Sequence, residues 1–400
     1  MFKPEKIRED FPALQRKIRG KPIIYMDSAC MSLKPIQVIN AINDYYVNFP
    51  ACSGSRSNHE LSQEVSERIK KARKIIKKFF NAPNNGEIIF TRNTTEAINI
   101  VAKSLNYDKS KVLTTDREHN SNLVPWQVLA EEGKIKHEVV KSKTDHSFNM
   151  QRFEKMLDNE TKLVSIVHTS NLDGYTTPVK EIIKIAHEKG ALVLVDAAQS
   201  APHKEINLKK LDPDFMVCSG HKMLGPTGTG ILYGKKEALE ALRPFIVGGD
   251  TVLETTYTSH VWEPVPQKFE AGLQDYSGII GFGEAARYLS KIGLGKIAKH
   301  EEKLKRILIE ETESIQELET IGNKNYSGIF NFNIKGINFH EVAGILNAQN
   351  IMVRSGVHCL HSWYNAHKIE GSARASLYLY NTEEECIKLA ENLKRIAKLA

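Results

Sequence analysis

Short apolar runs that end in polar residues recur along the chain, separated by stretches with helical spacing. The clearest are Leu192-Val193-Leu194-Val195-Asp196 and Phe215-Met216-Val217-Cys218-Ser219. Others are Glu87-Ile88-Ile89-Phe90-Thr91, Lys111-Val112-Leu113-Thr114, Val139-Val140, Leu163-Val164-Ser165-Ile166-Val167 and Ile231-Leu232-Tyr233. Apolar runs of this length between helices read as buried strands of a parallel sheet. Helical spacing falls over residues 35–46, 62–80, 94–105 and 179–189. The alternation predicts an α/β fold with a large, doubly wound, mostly parallel sheet. Residues 49–59 and 245–278 are turn-rich and read as loops, and residues 7–11 as a short helix. Beyond residue 278 the pattern changes to helices over 279–292, 297–320 and 340–347 and from 382 onward. Strands are expected there over 329–334, 351–354 and 374–379. That half reads as a small α+β domain. The expected division is a large domain over 16–287 and a small one built from 1–15 and 288–400.

Ligands of open α/β sheets bind outside the carboxyl ends of the strands. Asp196 and Lys222 therefore belong at the ligand edge. An acid and a lysine there suit pyridoxal phosphate, which needs a lysine for its Schiff base and a carboxylate for its pyridinium nitrogen. A carboxylate favours the charged form of a neighbouring base, so Asp196 would keep the ring nitrogen protonated. Lys222 would hold the cofactor and then act as a general base. A strand-end Asp and a surface Lys are the plain alternative. The flanking Ser219-Gly220-His221 and Gly225-Pro226-Thr227-Gly228-Thr229-Gly230 weigh against it. Thr94 and Thr95 fall in the first turn of a helix that follows a strand, where free N–H groups and the helix dipole attract anions. They are the expected phosphate cradle; simple threonine capping is the other reading. Neither a G-x-G-x-x-G after a strand nor a P-loop motif is present.

The chain has 400 residues, more than a single core usually holds. Its net charge of +7 is spread among acidic residues without a basic stripe interleaved with aromatics, so nucleic acid is not implied. It can attract an acidic partner. No apolar run is long enough to span a membrane, and the first residues lack the apolar core of a signal peptide. A cytoplasmic location is expected. Five scattered cysteines, an odd number, do not make a disulfide framework, which fits a reducing compartment.

With these motifs together, the chain resembles fold-type I pyridoxal phosphate enzymes, within them the class V aminotransferase group, and there the Suf-type (group II) cysteine desulfurases and selenocysteine lyases. The resemblance runs from Tyr25 to Asn381. It rests on Ser219-Gly220-His221-Lys222 with the glycine-rich run after it, on Arg354-Ser355-Gly356-Val357-His358-Cys359, and on Arg374-Ala375-Ser376 with Tyr380-Asn381-Thr382. It implies that Lys222 carries the cofactor, Asp196 pairs with the ring nitrogen and Gln199 bonds the ring hydroxyl oxygen. His119 stacks on the ring face, and Thr94, Thr95, Ser219 and His221 bind the phosphate. Asn171 and Arg374 take the substrate carboxylate, and Cys359 is the sulfur-accepting nucleophile. The implied reaction converts L-cysteine to L-alanine and leaves a persulfide on Cys359 for an acceptor protein. L-selenocysteine is the alternative substrate, and a homodimer is expected.

The residue chemistry agrees with these roles. Arg374 offers a planar fork that matches a carboxylate. Cys218 and Cys386 sit in apolar patterns and read as small hydrophobes. Cys359 lies among turn formers and histidines, as an exposed, activated thiol would. Zinc binding by His358, Cys359, His361 and His367 is the rival for that cluster, but it lacks a second ligand pair, and no metal is expected. Other class V enzymes do not need a cysteine at 359, and a sulfur carrier with a vestigial site would not keep Lys222, Asp196 and Arg374 together. The chain departs from the family pattern at several places. Gly272-Leu273-Gln274-Asp275-Tyr276 replaces a Gly-Thr-Pro segment whose threonine reaches the partner's phosphate; Ser277 or Tyr276 is the substitute. Ser55 stands where a histidine is common, Cys30 and Met31 replace small residues, and His361, Ser362 and Trp363 are unusual.

Overall fold

The computed structural model describes residues 2–54, 57–322 and 328–400. Ser55 lies outside them. The apolar runs form one seven-stranded sheet: β1 (Gly86–Thr91), β2 (Lys111–Thr115), β3 (Lys136–Val140), β4 (Thr161–Val167), β5 (Leu192–Asp196), β6 (Phe215–Ser219) and β7 (Gly230–Lys235). Their order across the sheet is β1-β7-β6-β5-β4-β2-β3. β7 runs antiparallel to both neighbours, and the other adjacent pairs are parallel. The carboxyl ends of β1, β2, β4, β5 and β6 thus share one edge.

Both faces of the sheet are covered, which is why its strands read as continuous apolar runs rather than alternating ones. Val193, Val195, Met216 and Ile231 pack into one core. Leu194, Phe215, Val217 and Leu232, the residues between and beside them, pack into the other. The helix Val179–Glu188 buries Val179, Ile182, Ile183 and Ala186, one stripe of its surface. The helix Tyr276–Ile292 packs on Ile36–Asn48 and Glu60–Phe79. At Gly283 a side chain would meet the Ala72 Cβ at 2.7 Å, so the glycine permits that approach.

A second, four-stranded sheet has β8 (Leu318–Thr320), β9 (Ile329–Ile334), β10 (Arg354–Gly356) and β11 (Ser372–Ser376) in the order β8-β9-β11-β10. Its core joins Phe330, Phe332 and Ile334 to Leu304 and Leu308 and to Leu389 and Leu393 of the last helix, Glu383–Ala397. That helix opens with a Thr382–Glu385 capping box, and Glu385 also meets Arg8 at 2.8 Å.

Several elements differ from expectation. The first helix is Pro4–Arg8, opened by a proline. The helix expected over 297–320 is Leu294–Thr312, because Leu318 pairs with Ile334 in β8 and that pairing overrides the helical pattern. The run at 351–354 is divided between two partners: Ile351–Met352 pairs with Ile24–Tyr25, and β10 pairs with β11. The strand expected over 374–379 stops at Ser376, and the chain leaves the sheet so that Tyr378 and Tyr380 can bury their rings. Helices Asn120–Glu131, Met150–Met156 and His361–His367 were not anticipated; Pro125 inside the first masked its pattern. The turn-rich stretch at 245–278 contains a hairpin, Val252–Thr255 with His260–Trp262.

Candidate active site

Asp196 closes β5 and is 3% exposed, with Oδ1 accepting from Ala198 N–H at 2.9 Å. Burial pushes its carboxyl up from the ordinary range, while the Ala198 bond and Lys222 pull it back. Lys222 ends the short 3-10 turn that leaves β6. Burial lowers its ammonium, Asp196 opposes the shift and Arg374 adds to it. The turn is clamped from the N-terminal segment. Ser32 donates to the His221 carbonyl through N–H at 3.0 Å and through Oγ at 2.9 Å, and Lys34 Nζ donates to it at 3.0 Å. β7 passes close by. A side chain at Gly230 would meet the Asn93 Cα at 2.8 Å, so this glycine lets the next helix start beside Ser219.

That helix, Thr94–Ser104, is capped by Asn93, whose side chain accepts from Glu96 N–H at 2.9 Å. Capping therefore does not account for the two threonines. Thr94 Oγ1 lies 2.6 Å from Ser219 Oγ, which also accepts from Thr94 N–H at 2.9 Å. Thr95 Oγ1 lies 2.7 Å from Ser121 Oγ. Hydroxyls thus converge at a helix N-terminus, the arrangement that binds phosphate. His221 is held neutral, its imidazole lowered to about 4 by burial and then by Lys222 and Lys34.

His119 follows β2 and caps Asn120–Glu131, Nδ1 accepting from Ser121 N–H at 3.1 Å. It both caps a helix and lines the cavity. Burial, then Lys222, Arg374 and His361, lower it to about 3. It is neutral, and the bond at Nδ1 assigns its proton to Nε2. Beneath it, Glu118 is buried, accepting from Thr115 Oγ1 at 2.6 Å, Asn122 Nδ2 at 2.6 Å and Val167 N–H at 3.0 Å. Burial raises this carboxyl to about 8. No sequence motif marked Glu118.

Arg374, in β11, is 2% exposed and donates from Nη1 to the Asn171 carbonyl at 2.8 Å. Its Nε has no partner among the described residues. Gln199 donates to the Ala29 carbonyl at 2.6 Å, while its Oε1 is also unpartnered. A buried polar atom without a partner is costly, and these two mark places that a ligand would satisfy.

Cys359 lies between β10 and the helix His361–His367 and is exposed. His358 and Cys359 both take left-handed backbone, φ 50° and 59°, which costs of order 1 kcal/mol or more for side chains of this kind. Two bonds hold the loop there. Asn120 N–H donates to the Cys359 carbonyl at 2.8 Å, and Asn171 Nδ2 to the His358 carbonyl at 2.8 Å. Cys218 and Cys386 are buried, and burial raises both thiols. The histidines in and after the loop bond separate partners: His358 Nε2 meets Ser372 Oγ at 3.1 Å, His361 Nδ1 meets Asn120 Nδ2 at 2.8 Å, and His367 Nδ1 meets the Trp363 carbonyl at 2.8 Å. Among the described residues no group of three or more His, Cys, Asp or Glu is placed to hold a metal ion.

The residues to which the resemblance gives cofactor, substrate or nucleophile roles within this chain line one cavity of about 260 Å³: Thr94, Thr95, His119, Asn171, Asp196, Gln199, Ser219, His221, Lys222, Cys359 and Arg374. Asn93, Ser121, Thr169 and Arg354 line it too and had no role assigned from sequence; His358, weighed there only as a metal ligand, lines it as well. Cys30, noted only as a departure, is there as well. Ser277 and Tyr276 are not among the lining residues; Ser277 Oγ donates to Asp275 Oδ1 at 2.7 Å.

A mostly parallel sheet with a lysine and an acid at the carboxyl ends of adjacent strands, a hydroxyl-lined helix N-terminus beside them and a thiol at the mouth defines a group-transfer site of the kind built around a phosphorylated cofactor. The Aminotransferase class-V family matches residues 24–389, and the chain belongs to that family. A protein of Halalkalibacterium halodurans named probable cysteine desulfurase is 39% identical over 393 residues, 97% of this chain and 97% of the relative. The solved apo structure of the cysteine desulfurase of Thermococcus onnurineus NA1 is similar at TM-score 0.94 and 36% identity, covering 100% of this chain and 99% of that one. A cysteine desulfurase from Escherichia coli is similar at TM-score 0.92 and 28% identity, with the same coverage.

Proposed function

We propose that the chain is a pyridoxal phosphate-dependent cysteine desulfurase of the Suf type, converting L-cysteine to L-alanine with the sulfur left on Cys359. The observation that carries this reading is the exposed Cys359 thiol opening onto the cavity that also holds Asp196 and Lys222. Relatives and solved structures named cysteine desulfurase over nearly the full length of both chains support it.

The residues present fit the cofactor. Burial is the largest influence on both Asp196 and Lys222, and a protonated ring nitrogen would give Asp196 a compensating charge. Gln199 Oε1 is an acceptor still unpartnered, as a ring hydroxyl requires. Lys222 would hold the cofactor's aldehyde carbon, and His119 would cover the ring as a neutral plane. Thr94, Thr95, Ser219 and His221 would hold its phosphate. When bound, pyridoxal phosphate supplies an electron sink for the charge left when a proton leaves the substrate Cα.

The chain's own groups do the rest. Arg374 and Asn171 orient the substrate carboxylate, Arg374 through a donor not committed elsewhere. Lys222 Nζ takes the Cα proton; its lowered basicity suits it to give a proton back. Cys359 Sγ attacks the substrate sulfur. The new S–S bond forms as the Cβ–S bond breaks, the electron pair goes to Cβ, and protonation there, with a proton returned to Cα by Lys222, completes alanine. Proximity supplies much of the rate if the loop presents Sγ to the substrate. The persulfide then passes to an acceptor protein. A homodimer and a cytoplasmic location belong to the same reading. Among the described residues no helix is long and apolar enough to cross a membrane.

The test is alanine formation from L-cysteine and from L-selenocysteine by wild type and Cys359→Ser. Efficient use of cysteine by wild type, lost in the variant, supports the desulfurase. A strong preference for selenocysteine that survives Cys359→Ser makes the enzyme a selenocysteine lyase.

A further inference from the structure

A second cysteine lines the cavity. Cys30 is half-buried and lines the same cavity as Cys359, Lys222, Arg354 and Arg374. The turn that carries it is fixed on several sides. Ser28 Oγ lies 2.7 Å from the Tyr380 hydroxyl, Ala29 N–H donates to Ser376 Oγ at 2.9 Å, and Gln199 holds the Ala29 carbonyl at 2.6 Å. Cys30 N–H itself donates to the Asp27 carbonyl at 3.1 Å. Cys30 is thus carried by a hydrogen-bonded turn, and Cys359 by an exposed loop, beside one cavity.

The two sulfurs have Lys222 as a charged neighbour in common. Cys30 lies close enough to Lys222, Arg354 and Arg374 to interact electrostatically with each of them. Cys359 interacts with the same Lys222. Arg374 is nine-tenths buried or more and keeps an unpartnered Nε. Such a cationic wall stabilises negative charge as it passes from one sulfur to another. The remaining thiols are placed otherwise: Cys218 and Cys386 are buried, and Cys52 is exposed but does not line the cavity.

We propose that Cys30 is a second sulfur-accepting residue, taking the sulfane sulfur from the Cys359 persulfide within the cavity. The proposal rests on the desulfurase reading. In the step, the Cys30 thiolate attacks the outer sulfur of the Cys359 persulfide. A bond forms between Cys30 Sγ and that sulfur, the Cys359 S–S bond breaks, and the electron pair leaves on Cys359 Sγ. The sulfane proton stays with its sulfur, and no oxidant or reductant is consumed. Cys359 is freed for a second turnover while the first sulfur is held in the cavity.

The experiment maps sulfur by mass. Holoenzyme is mixed with L-cysteine, quenched with an alkylating reagent after increasing times and digested, and the Cys30, Cys52 and Cys359 peptides are weighed. The expected result is one added sulfur on Cys359 first and on Cys30 later, with Cys52 unmodified. In Cys359→Ser, Cys30 should gain none. In Cys30→Ser, which keeps the side chain's size, the Cys359 persulfide should last several-fold longer. Sulfur on Cys359 that never reaches Cys30 overturns the proposal and leaves the desulfurase reading standing. So does equal labelling of Cys30 and Cys52, or labelling of Cys30 in Cys359→Ser. A Cys30–Cys359 disulfide with release of sulfide also overturns it, because Cys30 would then have attacked the inner sulfur. No added sulfur on either cavity thiol overturns both readings.

Discussion

Asp196 and Lys222 leave the carboxyl ends of two adjacent central strands, in a cavity floor whose residues are buried on both faces of the sheet. Cys359 is held differently, by an exposed left-handed loop tied down through the Asn120 N–H and the Asn171 side chain. The floor has rigid strands behind each functional group; the rim is held by hydrogen bonds to a loop. That contrast suits the proposed chemistry. Proton transfer at Cα needs fixed geometry, whereas a nucleophile that must hand sulfur to another protein needs access to the surface. The strained backbone at His358 and Cys359 fits a loop with a second conformation within reach, since such strain concentrates where motion or preorganisation is used.

The contrast breaks most sharply at the floor. Lys222→Ala should abolish the cofactor's absorption band and lower alanine formation by at least about 10²–10⁴-fold, the range for a positioned proton-transfer group; spectroscopy and a product assay read both. Asp196→Asn should keep much of the bound cofactor yet lose about 10²–10³-fold in turnover, the scale for removing one preorganised electrostatic partner.

Stability should divide the same way. Leu194→Ala, in the strand behind Asp196 and fully buried, should cost about 2–5 kcal/mol in denaturant titration. A rim change should cost far less. Asn120→Ala removes the 2.8 Å bond to His361, about 0.5–1.5 kcal/mol. It should appear mainly as hydrogen exchange in residues 357–361 faster by up to about tenfold, with the global stability nearly unchanged.

Acid should act between these two extremes. His119 is lowered to about 3, and His137, His168 and His221 to about 4, from an ordinary 6.5, in each case chiefly by burial. Their folded values lie below their unfolded ones, so between pH 6.5 and 4 the unfolded chain binds more protons. They leave stability untouched above pH 6.5 and erode it progressively as the pH falls towards 4. Thermal unfolding at pH 5 should come at least roughly 1 °C below that at pH 7.5, the shift expected from about 1 kcal/mol in a chain of 400 residues. Replacing His168 with Gln should reduce the fall.

The strands of the large sheet were legible because burial on both faces writes a continuous apolar run. The floor of the site was legible because Asp196, Ser219 and Lys222 sit where such runs turn polar. Cys359 was legible through its local motif and its turn-forming neighbours. What the sequence hid is contact across distance. Nothing local ties Thr95 to Ser121, Lys34 to His221 or Asn171 to His358, yet these pairs align the cavity. Glu118 looked like any loop acid, and its burial depends on β4 supplying the Val167 N–H. The helix Asn120–Glu131 was hidden by Pro125, which the structure accommodates within it. Cys30 was visible as a departure, but its place beside Arg374 required the fold.

The most direct test follows one sulfur atom. Holoenzyme reacted with a single equivalent of L-cysteine and quenched within one turnover should yield alanine and sulfane sulfur in equal amounts, the sulfur traced to Cys359 at the earliest time. Alanine formed in that amount with free sulfide and no sulfur on Cys359 would contradict the account, because the cavity would then cleave the substrate without using the thiol at its mouth.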